Sequence, residues 1–155
     1  LFSQLEWADT SDPGQLVQNW ARASAGQDGL KERVVTHFLT AMQSPEILDG
    51  LKKPEGRTIL WREKPFDTVV NGQWIAGQFD RVVIRCDEHG GMVSAVIQDF
   101  KSNRIDSPSD LDRLVADYAG QMDLYAASLA TITGIDPRNI EKHLLFTAVG
   151  RMVRV

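Results

Sequence analysis

Two short segments on either side of one turn restrict the folds open to this chain most strongly. Residues 77–80 (Gly-Gln-Phe-Asp) and 98–101 (Gln-Asp-Phe-Lys) read as strands, and residues 88–91 (Glu-His-Gly-Gly) between them read as a turn. An antiparallel hairpin centred between residues 89 and 90 pairs residues whose numbers sum to 179, so Asp80 would face Asp99. Lys101 would share the face of Asp99, because strand side chains alternate.

Two carboxylates that face each other need a compensating charge. Like charges directly opposite on a sheet are destabilising, and a divalent cation is the simplest compensation. Each residue alone has a plainer interpretation: Asp80 as a strand-end residue, and Asp99 with Lys101 as a surface ion pair. The pairing favours a metal site but does not identify its chemistry.

Composition narrows the class of protein. A chain of 155 residues, 43% hydrophobic and 25% charged, is typical of one soluble globular domain. The net charge of −4 argues against a generic basic nucleic-acid coat, but not against an acidic metal centre that acts on nucleic acid. No apolar run is long enough to span a membrane, so no membrane partner is expected. Because the chain begins with Leu1 rather than Met, we expect a domain excised from a longer chain.

The lone cysteine excludes several kinds of site. Cys86 cannot form an internal disulfide, a four-cysteine iron–sulfur cluster or a cysteine-rich zinc site. A reduced compartment fits this composition, and we expect a cytoplasmic protein.

The sequence pattern predicts an α/β domain with a mixed sheet. An N-terminal extension over residues 1–29, with a possible short helix around 16–20 and breaks at 12–14 and 25–29, precedes a single domain over residues 30–155. Ser44-Pro45 either ends the first domain helix or opens a short second one. Pro65 marks an edge strand or a bend. The predicted elements are a helix over 30–43, strands over 57–70, 73–86 and 92–102, a helix over 109–133 and a strand over 143–149.

Several motifs in this order resemble one nuclease family. They are His37 on a helix, Glu63 in Trp-Arg-Glu-Lys-Pro-Phe, Gly-x-x-Asp ending at Asp80, Asp99-Phe100-Lys101, and Tyr118-x-x-Gln121-x-x-x-Tyr125. Over roughly residues 30–150 the chain is similar to the RecB/AddA-type nuclease branch of the PD-(D/E)xK superfamily. The resemblance implies a restriction-endonuclease-like core: helix, three-stranded antiparallel meander, helix and strand. It also implies the C-terminal module of a UvrD/Rep-like helicase–exonuclease.

The resemblance assigns a role to each residue around the metal. Asp80, Asp99 and the Phe100 carbonyl would bind Mg²⁺, which prefers oxygen ligands and keeps several waters. His37 would add a nitrogen ligand, which makes activity with Mn²⁺ plausible as well. Asp80 and Asp99 would be catalytic together with Lys101, which would orient the attacking water or stabilise negative charge on the phosphate.

The remaining motif residues have less direct roles. Glu63 would lie beside the metal ligands rather than on the ion. Gln121 and Tyr125 are four residues apart on one helix face, with Tyr118 on the same side, and this face would contact DNA.

We therefore expect a metal-dependent DNA exonuclease domain of a helicase–nuclease that acts in DNA repair and recombination. Its partners would be single-stranded DNA ends and a helicase domain, either in the same polypeptide or in a separate partner chain, in the bacterial cytoplasm. The main alternative is a catalytically silent nuclease-like module that binds DNA or docks a partner. A stand-alone exonuclease of the CRISPR-adaptation type usually carries cluster cysteines, which this chain lacks, and RNA is a remoter substrate.

Overall fold

A computed structural model describes residues 1–24 and 28–155. The break predicted at residues 25–29 falls mostly on residues outside this description. The elements are α1 (Pro13–Ala23), α2 (Asp28–Ala41), α3 (Pro45–Gly50), β1 (Thr58–Val70), β2 (Gln73–Cys86), β3 (Met92–Lys101), α4 (Pro108–Thr133), β4 (Ile140–Phe146) and β5 (Arg151–Arg154), with short 3-10 turns at Phe2–Gln4 and Pro137–Asn139.

The five strands form one sheet in the order β1-β2-β3-β4-β5. The first three are an antiparallel meander, β4 runs parallel to β3, and β5 is antiparallel to β4. A parallel neighbour needs a crossover connection, and α4 is that crossover between β3 and β4. The predicted α/β class with a mixed sheet is confirmed, and Pro65 lies on an edge strand as expected.

The sheet divides at one point, which we call the fork. Strand β2 pairs with β1 from Arg85 out to Gln73, but it pairs with β3 only from Cys86 to Arg81. The β1–β2 hairpin therefore continues beyond β3 as an arm over residues 64–79. Its tip is Asn71-Gly72, both in the left-handed region (φ 51° and 78°) that a tight two-residue hairpin turn requires.

The register of the β2–β3 hairpin is the predicted one. Arg81 pairs with Gln98 and Arg85 with Ser94, and both pairs sum to 179. Asp80 and Asp99 occupy the next position, where the ladder ends and the two strands separate. The two carboxylates thus flank the fork.

Two apolar layers enclose the sheet. The face toward α4 is filled by residues that include Val82, Ile84, Ile97, Met122, Leu129 and Leu144, all buried. The other face packs against α2, α3 and the N-terminal segment through Leu5, Phe38, Met42, Ile47, Leu51 and Leu145. Each such side chain contributes about 1.5–3 kcal/mol when it is fully buried. Because both faces are covered, consecutive residues are buried in the parallel strands, over 97–99 in β3 and 144–146 in β4.

Local signals explain the helix boundaries. The Ser107 side chain accepts a hydrogen bond from the Asp110 N–H, and Pro108 occupies the first turn of α4. Gly134, at φ 74°, ends that helix in the left-handed region. Ser44 caps α3 in the same way, so Ser44-Pro45 opens a separate short helix.

The C-terminal strands differ from the prediction. The last predicted strand, over 143–149, is observed three residues earlier as Ile140–Phe146, and β5 was not predicted. The apolar sequence continues past Phe146, but the chain turns there, with Gly150 at φ 64°. Glycine tolerates that conformation readily, which allows the chain to return as β5.

None of the helices in the described part of the chain has both the length and the apolar character needed to cross a bilayer.

Candidate metal centre

Asp80 lies at the fork and bridges it. Its Oδ2 accepts a 2.9 Å hydrogen bond from the backbone N–H of Phe100 on β3. Burial raises the pKa of the Asp80 carboxyl above its ordinary value, and the negative charges of Asp99 and Glu63 raise that pKa further. The Phe100 hydrogen bond and the positive charge of Lys101 oppose the rise. The raised pKa thus comes first from burial and then from the neighbouring negative charges.

Asp99 is paired with Lys101. Asp99 is only 5% exposed, and Lys101 Nζ lies 2.6 Å from its Oδ2. The ammonium approaches off the direction of a hydrogen bond, so this buried oxygen accepts no directed donor from the described residues. Lys101 Nζ does donate to Gln121 Oε1 at 3.0 Å, and it lies 3.8 Å from the centre of the Tyr118 ring.

The carbonyl of Phe100 faces the fork. In a strand, the N–H and C=O of one residue point to the same side, and the Phe100 N–H points at Asp80. The Phe100 side chain lies on the face of the sheet opposite to Asp99 and Lys101, stacked on Phe2 with 4.8 Å between ring centres. The carbonyl of Lys101 points the other way and accepts a 2.9 Å hydrogen bond from the Thr147 N–H.

Glu63 adds a third carboxylate on the edge strand. The β1–β2 ladder omits one pair, Glu63 with Asp80, although the register is the same on both sides of the gap. Glu63 has φ 48°, a left-handed conformation that costs energy for a side chain of this kind. Its carboxylate accepts a short hydrogen bond from Gln78. The predicted position beside the metal ligands is consistent with this geometry, but the role of Glu63 stays a prediction.

His37 is the predicted metal ligand that lies apart from the carboxylates. Its Nε2 is 2.7 Å from Thr147 Oγ1, and that hydroxyl is 3.1 Å from the Lys101 carbonyl. Across residues 1–24 and 28–155, no three His, Cys, Asp or Glu side chains form a metal-holding group. The structure therefore brings Asp80, Asp99 and the Phe100 carbonyl together, and it holds His37 on Thr147.

The donor set at the fork fits a hard divalent cation. It consists of carboxylate and carbonyl oxygens, which Mg²⁺ prefers, and two or three protein ligands suffice because Mg²⁺ keeps several waters. The Oδ2 atom of Asp99 is buried and already lies 2.6 Å from the Lys101 ammonium, so a bound metal ion would share this oxygen with Lys101 or displace the ammonium from it. The nitrogen of His37 would have to leave Thr147 or present its other ring atom.

The predicted DNA-contacting residues share one face of α4 beside the fork. Gln121 Nε2 donates to the Tyr125 hydroxyl at 3.4 Å, and Tyr125 packs edge-on against Phe66 and Phe79. Burial raises the pKa of the Tyr125 hydroxyl, and the negative charge of Asp99 adds to the rise. Tyr125 therefore lies within electrostatic reach of the carboxylates.

The sequence did not point to two residues that shape this centre, Thr147 and Asn103. Thr147 holds both His37 and the Lys101 carbonyl, and Asn103 accepts a 3.2 Å hydrogen bond from the Tyr118 hydroxyl. A signal for Thr147 did exist, because the predicted strand over 143–149 includes it and a strand that follows a long helix often runs parallel to the strand before that helix. Asn103 lies in an irregular segment, where no periodicity could mark it.

Comparison with known proteins gives a match to a family and to a longer relative. The model of the PD-(D/E)XK nuclease superfamily matches residues 3–151. A stretch of 58 residues is 40% identical to an ATP-dependent helicase/nuclease subunit from Limosilactobacillus fermentum. That match covers 36% of this chain and 4% of the relative, so the chain corresponds to a small part of a much longer protein.

Proposed function

Because the chain belongs to the PD-(D/E)XK nuclease superfamily, we propose that it is a metal-dependent DNA nuclease domain. The observation that carries the proposal is the fork, where Asp80 and Asp99 flank the Phe100 carbonyl and Lys101 lies 2.6 Å from Asp99. The same sites would hold Mg²⁺, and Mn²⁺ would serve as well if His37 contributes a nitrogen ligand.

In this proposal Asp80, Asp99 and the Phe100 carbonyl would hold the cation. When bound, the cation polarises the scissile phosphate and lowers the pKa of a bound water. An attacking water would release a proton to solvent as its oxygen bonds to phosphorus, the bond from phosphorus to the leaving sugar oxygen would break, and the leaving oxygen would take up a proton from solvent. The two aspartates contribute by remaining ionised, so the raised pKa of Asp80 favours neutral or alkaline conditions.

Lys101 would act on the phosphate itself. Its ammonium donates to Gln121 and contacts Asp99, so it can direct a hydrogen to a non-bridging phosphate oxygen beside the carboxylates. Charge that develops on the phosphate during attack would be stabilised by this fixed cation. Gln121 and Tyr125 would meet the adjoining DNA on the α4 face, through amide hydrogen bonds and ring contacts.

We also propose the wider setting. The relative is named as a helicase/nuclease subunit, and this chain matches a small part of it. That resemblance supports a nuclease module that works with a helicase, either in the same polypeptide or in a separate partner chain. Its substrate would be single-stranded DNA ends released by the motor during repair or recombination in the bacterial cytoplasm, and the cleavage would be exonucleolytic.

A cleavage assay tests the proposal. The purified protein is incubated with end-labelled single-stranded DNA, with matched RNA and with duplex DNA, in the presence of Mg²⁺, Mn²⁺ or a chelator. We expect DNA products with either metal and none with chelator. Asp99→Asn should abolish cleavage, whereas Asp67→Asn, an exposed aspartate on the arm, should retain it.

The alternative has a distinct outcome in the same experiment. A silent DNA-binding module would bind the labelled strand but leave it intact with every metal. In isothermal titration, the wild type would then bind Mn²⁺ no better than Asp99→Asn does. That combination would replace the proposal with the binding module.

A further inference from the structure

The ring of Tyr118 lies against the ammonium of Lys101. The distance from Lys101 Nζ to the ring centre is 3.8 Å, well inside the range of a cation–π contact. The Lys101 side chain is only 13% exposed, so little water competes for the ammonium. A cation that is largely desolvated interacts more strongly with an aromatic face than an exposed one does.

The ring is held at both ends. Its backbone belongs to α4, and the ring packs against the apolar layer on that side of the sheet. Its hydroxyl donates to Asn103 Oδ1 at 3.2 Å, in the segment that directly follows β3. Tyr118 therefore connects α4 to the chain two residues beyond Lys101.

We propose that Tyr118 is a positioning residue that acts through Lys101 and does not stack on DNA. The inference rests on the proposed nuclease function and corrects the expectation that Tyr118 contacts DNA. The ammonium covers one face of the ring, and the partly buried ring also packs against the apolar layer, so the face toward Lys101 is already occupied and not free for a base.

The contact fixes where the positive charge lies. Lys101 has a flexible four-carbon side chain, and its ammonium could otherwise move fully onto Asp99 or out into solvent. The Tyr118 ring and Gln121 Oε1 hold it from the α4 side, while Asp99 attracts it from the sheet. The ammonium is thus held between the carboxylate and the helix, where a phosphate would meet it.

Two substitutions at Tyr118 separate positioning from DNA contact. Tyr118→Leu removes the ring, and Tyr118→Phe keeps it while removing the bond to Asn103. We expect kcat on single-stranded DNA to fall about 10- to 30-fold in Tyr118→Leu and less than about threefold in Tyr118→Phe. The Kd for the same DNA, measured without cleavage in Ca²⁺, should stay within about twofold of the wild type in both. Leu124→Ala, an exposed position on the same helix, is the matched control and should change neither constant.

The opposite pattern would overturn the proposal. A Kd at least about tenfold weaker in Tyr118→Leu, with kcat retained at saturating DNA, would assign the ring to the substrate. If Tyr118→Leu does not fold, Tyr118→Met removes the ring with a longer, flexible side chain that can fill more of its space. A fall in kcat at unchanged Kd in that variant supports positioning, and an unchanged kcat contradicts it.

A spectroscopic measurement is independent of activity. A proton near the face of an aromatic ring is displaced upfield in the NMR spectrum, so the side-chain CH₂ signals of Lys101 should be displaced in the wild type and in Tyr118→Phe, and not in Tyr118→Leu. Undisplaced Lys101 signals in the wild type would overturn the contact itself. Displaced signals in a protein that cleaves no DNA would leave the contact intact and reject the nuclease function instead.

Discussion

The Oδ2 atom of Asp80 accepts a 2.9 Å hydrogen bond from the backbone N–H of Phe100, across the fork where β2 and β3 separate. The sheet ladder ends one pair earlier, at Arg81 with Gln98. The Asp80 side chain thus accepts the hydrogen bond that a backbone carbonyl of β2 would accept if the ladder continued by one more bond. Because the N–H and C=O of a strand residue point to the same side, the Phe100 carbonyl also faces the fork, where the candidate metal centre lies.

Burial of the Asp80 carboxyl, together with its crowding by Asp99 and Glu63, should reduce stability at neutral pH. A carboxyl whose pKa is raised by folding stabilises the protein below its unfolded pKa, and that contribution is lost as the pH rises through the folded value. Asp80→Asn should therefore raise the melting temperature at pH 8 by roughly 2–4 °C, and the gain should shrink as the pH falls toward 4. Thermal melts across this pH range, with Asp67→Asn as control, measure the difference. A wild type as stable as Asp80→Asn at pH 8 would contradict this destabilisation.

A divalent cation bound at the fork should offset the loss of stability that the ionised Asp80 causes. At pH 8 and a Mg²⁺ or Mn²⁺ concentration 100 times Kd, binding should stabilise the fold by about 2.7 kcal/mol, a rise in melting temperature of roughly 5–10 °C. The rise should diminish as the pH is lowered through the raised pKa of Asp80, because protons compete with the metal. It should be absent in Asp99→Asn. An equal rise in that variant would locate the cation elsewhere.

Loss of either charge at the fork should abolish cleavage without unfolding the protein. Asp99→Asn and Lys101→Met should each lower kcat by about 100-fold or more. Asp99→Asn should also lose Mn²⁺ binding in isothermal titration, whereas Lys101→Met should retain it. Full activity in both variants would reject the nuclease assignment.

The attachment of the N-terminal segment to the sheet should depend on one buried arginine, Arg81. Arg81 is 1% exposed and donates to the carbonyls of Leu5 and Glu6, and its guanidinium lies 4.9 Å from the centre of the Trp7 ring. Burial lowers the pKa of Arg81 to about 10, still far above neutral, so it stays charged. Arg81→Leu would leave both carbonyls without their donors and should cost about 3 kcal/mol in urea unfolding.

The chain offers a matched control for that measurement. Arg62 is the ladder partner of Arg81, and it also donates to carbonyls of the N-terminal segment, those of Ser3 and Gln4, but it is exposed. Arg62→Leu should therefore cost less than about 1 kcal/mol. Equal losses of unfolding free energy in the two variants would show that the burial of Arg81 does not increase its contribution to stability.

Much of the fold was readable because local signals agree with the tertiary structure. The Asn71-Gly72 turn and the turn near His89 set the hairpin registers, and alternation then determined which residues could meet across β2 and β3. Ser107 and Gly134 fixed the ends of α4 for similar reasons.

The rest depends on contacts that no local pattern records. The sequence could not reveal that β2 leaves β3 at Asp80, nor that His37 would bind Thr147, a residue 110 positions away. Spacing places the ring of Tyr118 on the helix face of Gln121, but it does not give the neighbours of the ring, Lys101 and Asn103. The roles of Asp80, Asp99, Phe100, Lys101 and His37 remain predictions that the experiments above address.

The arm formed by β1 and β2 beyond the fork also has a consequence for engineering. Its tip at Asn71-Gly72 is exposed, and the outer strands there are paired only with each other in the described part of the chain. A peptide tag or a fluorophore inserted at this tip would lengthen a free-standing loop and leave the ladder that carries Asp99 untouched. A reporter mounted at this tip would leave the sheet that carries the candidate metal centre unchanged.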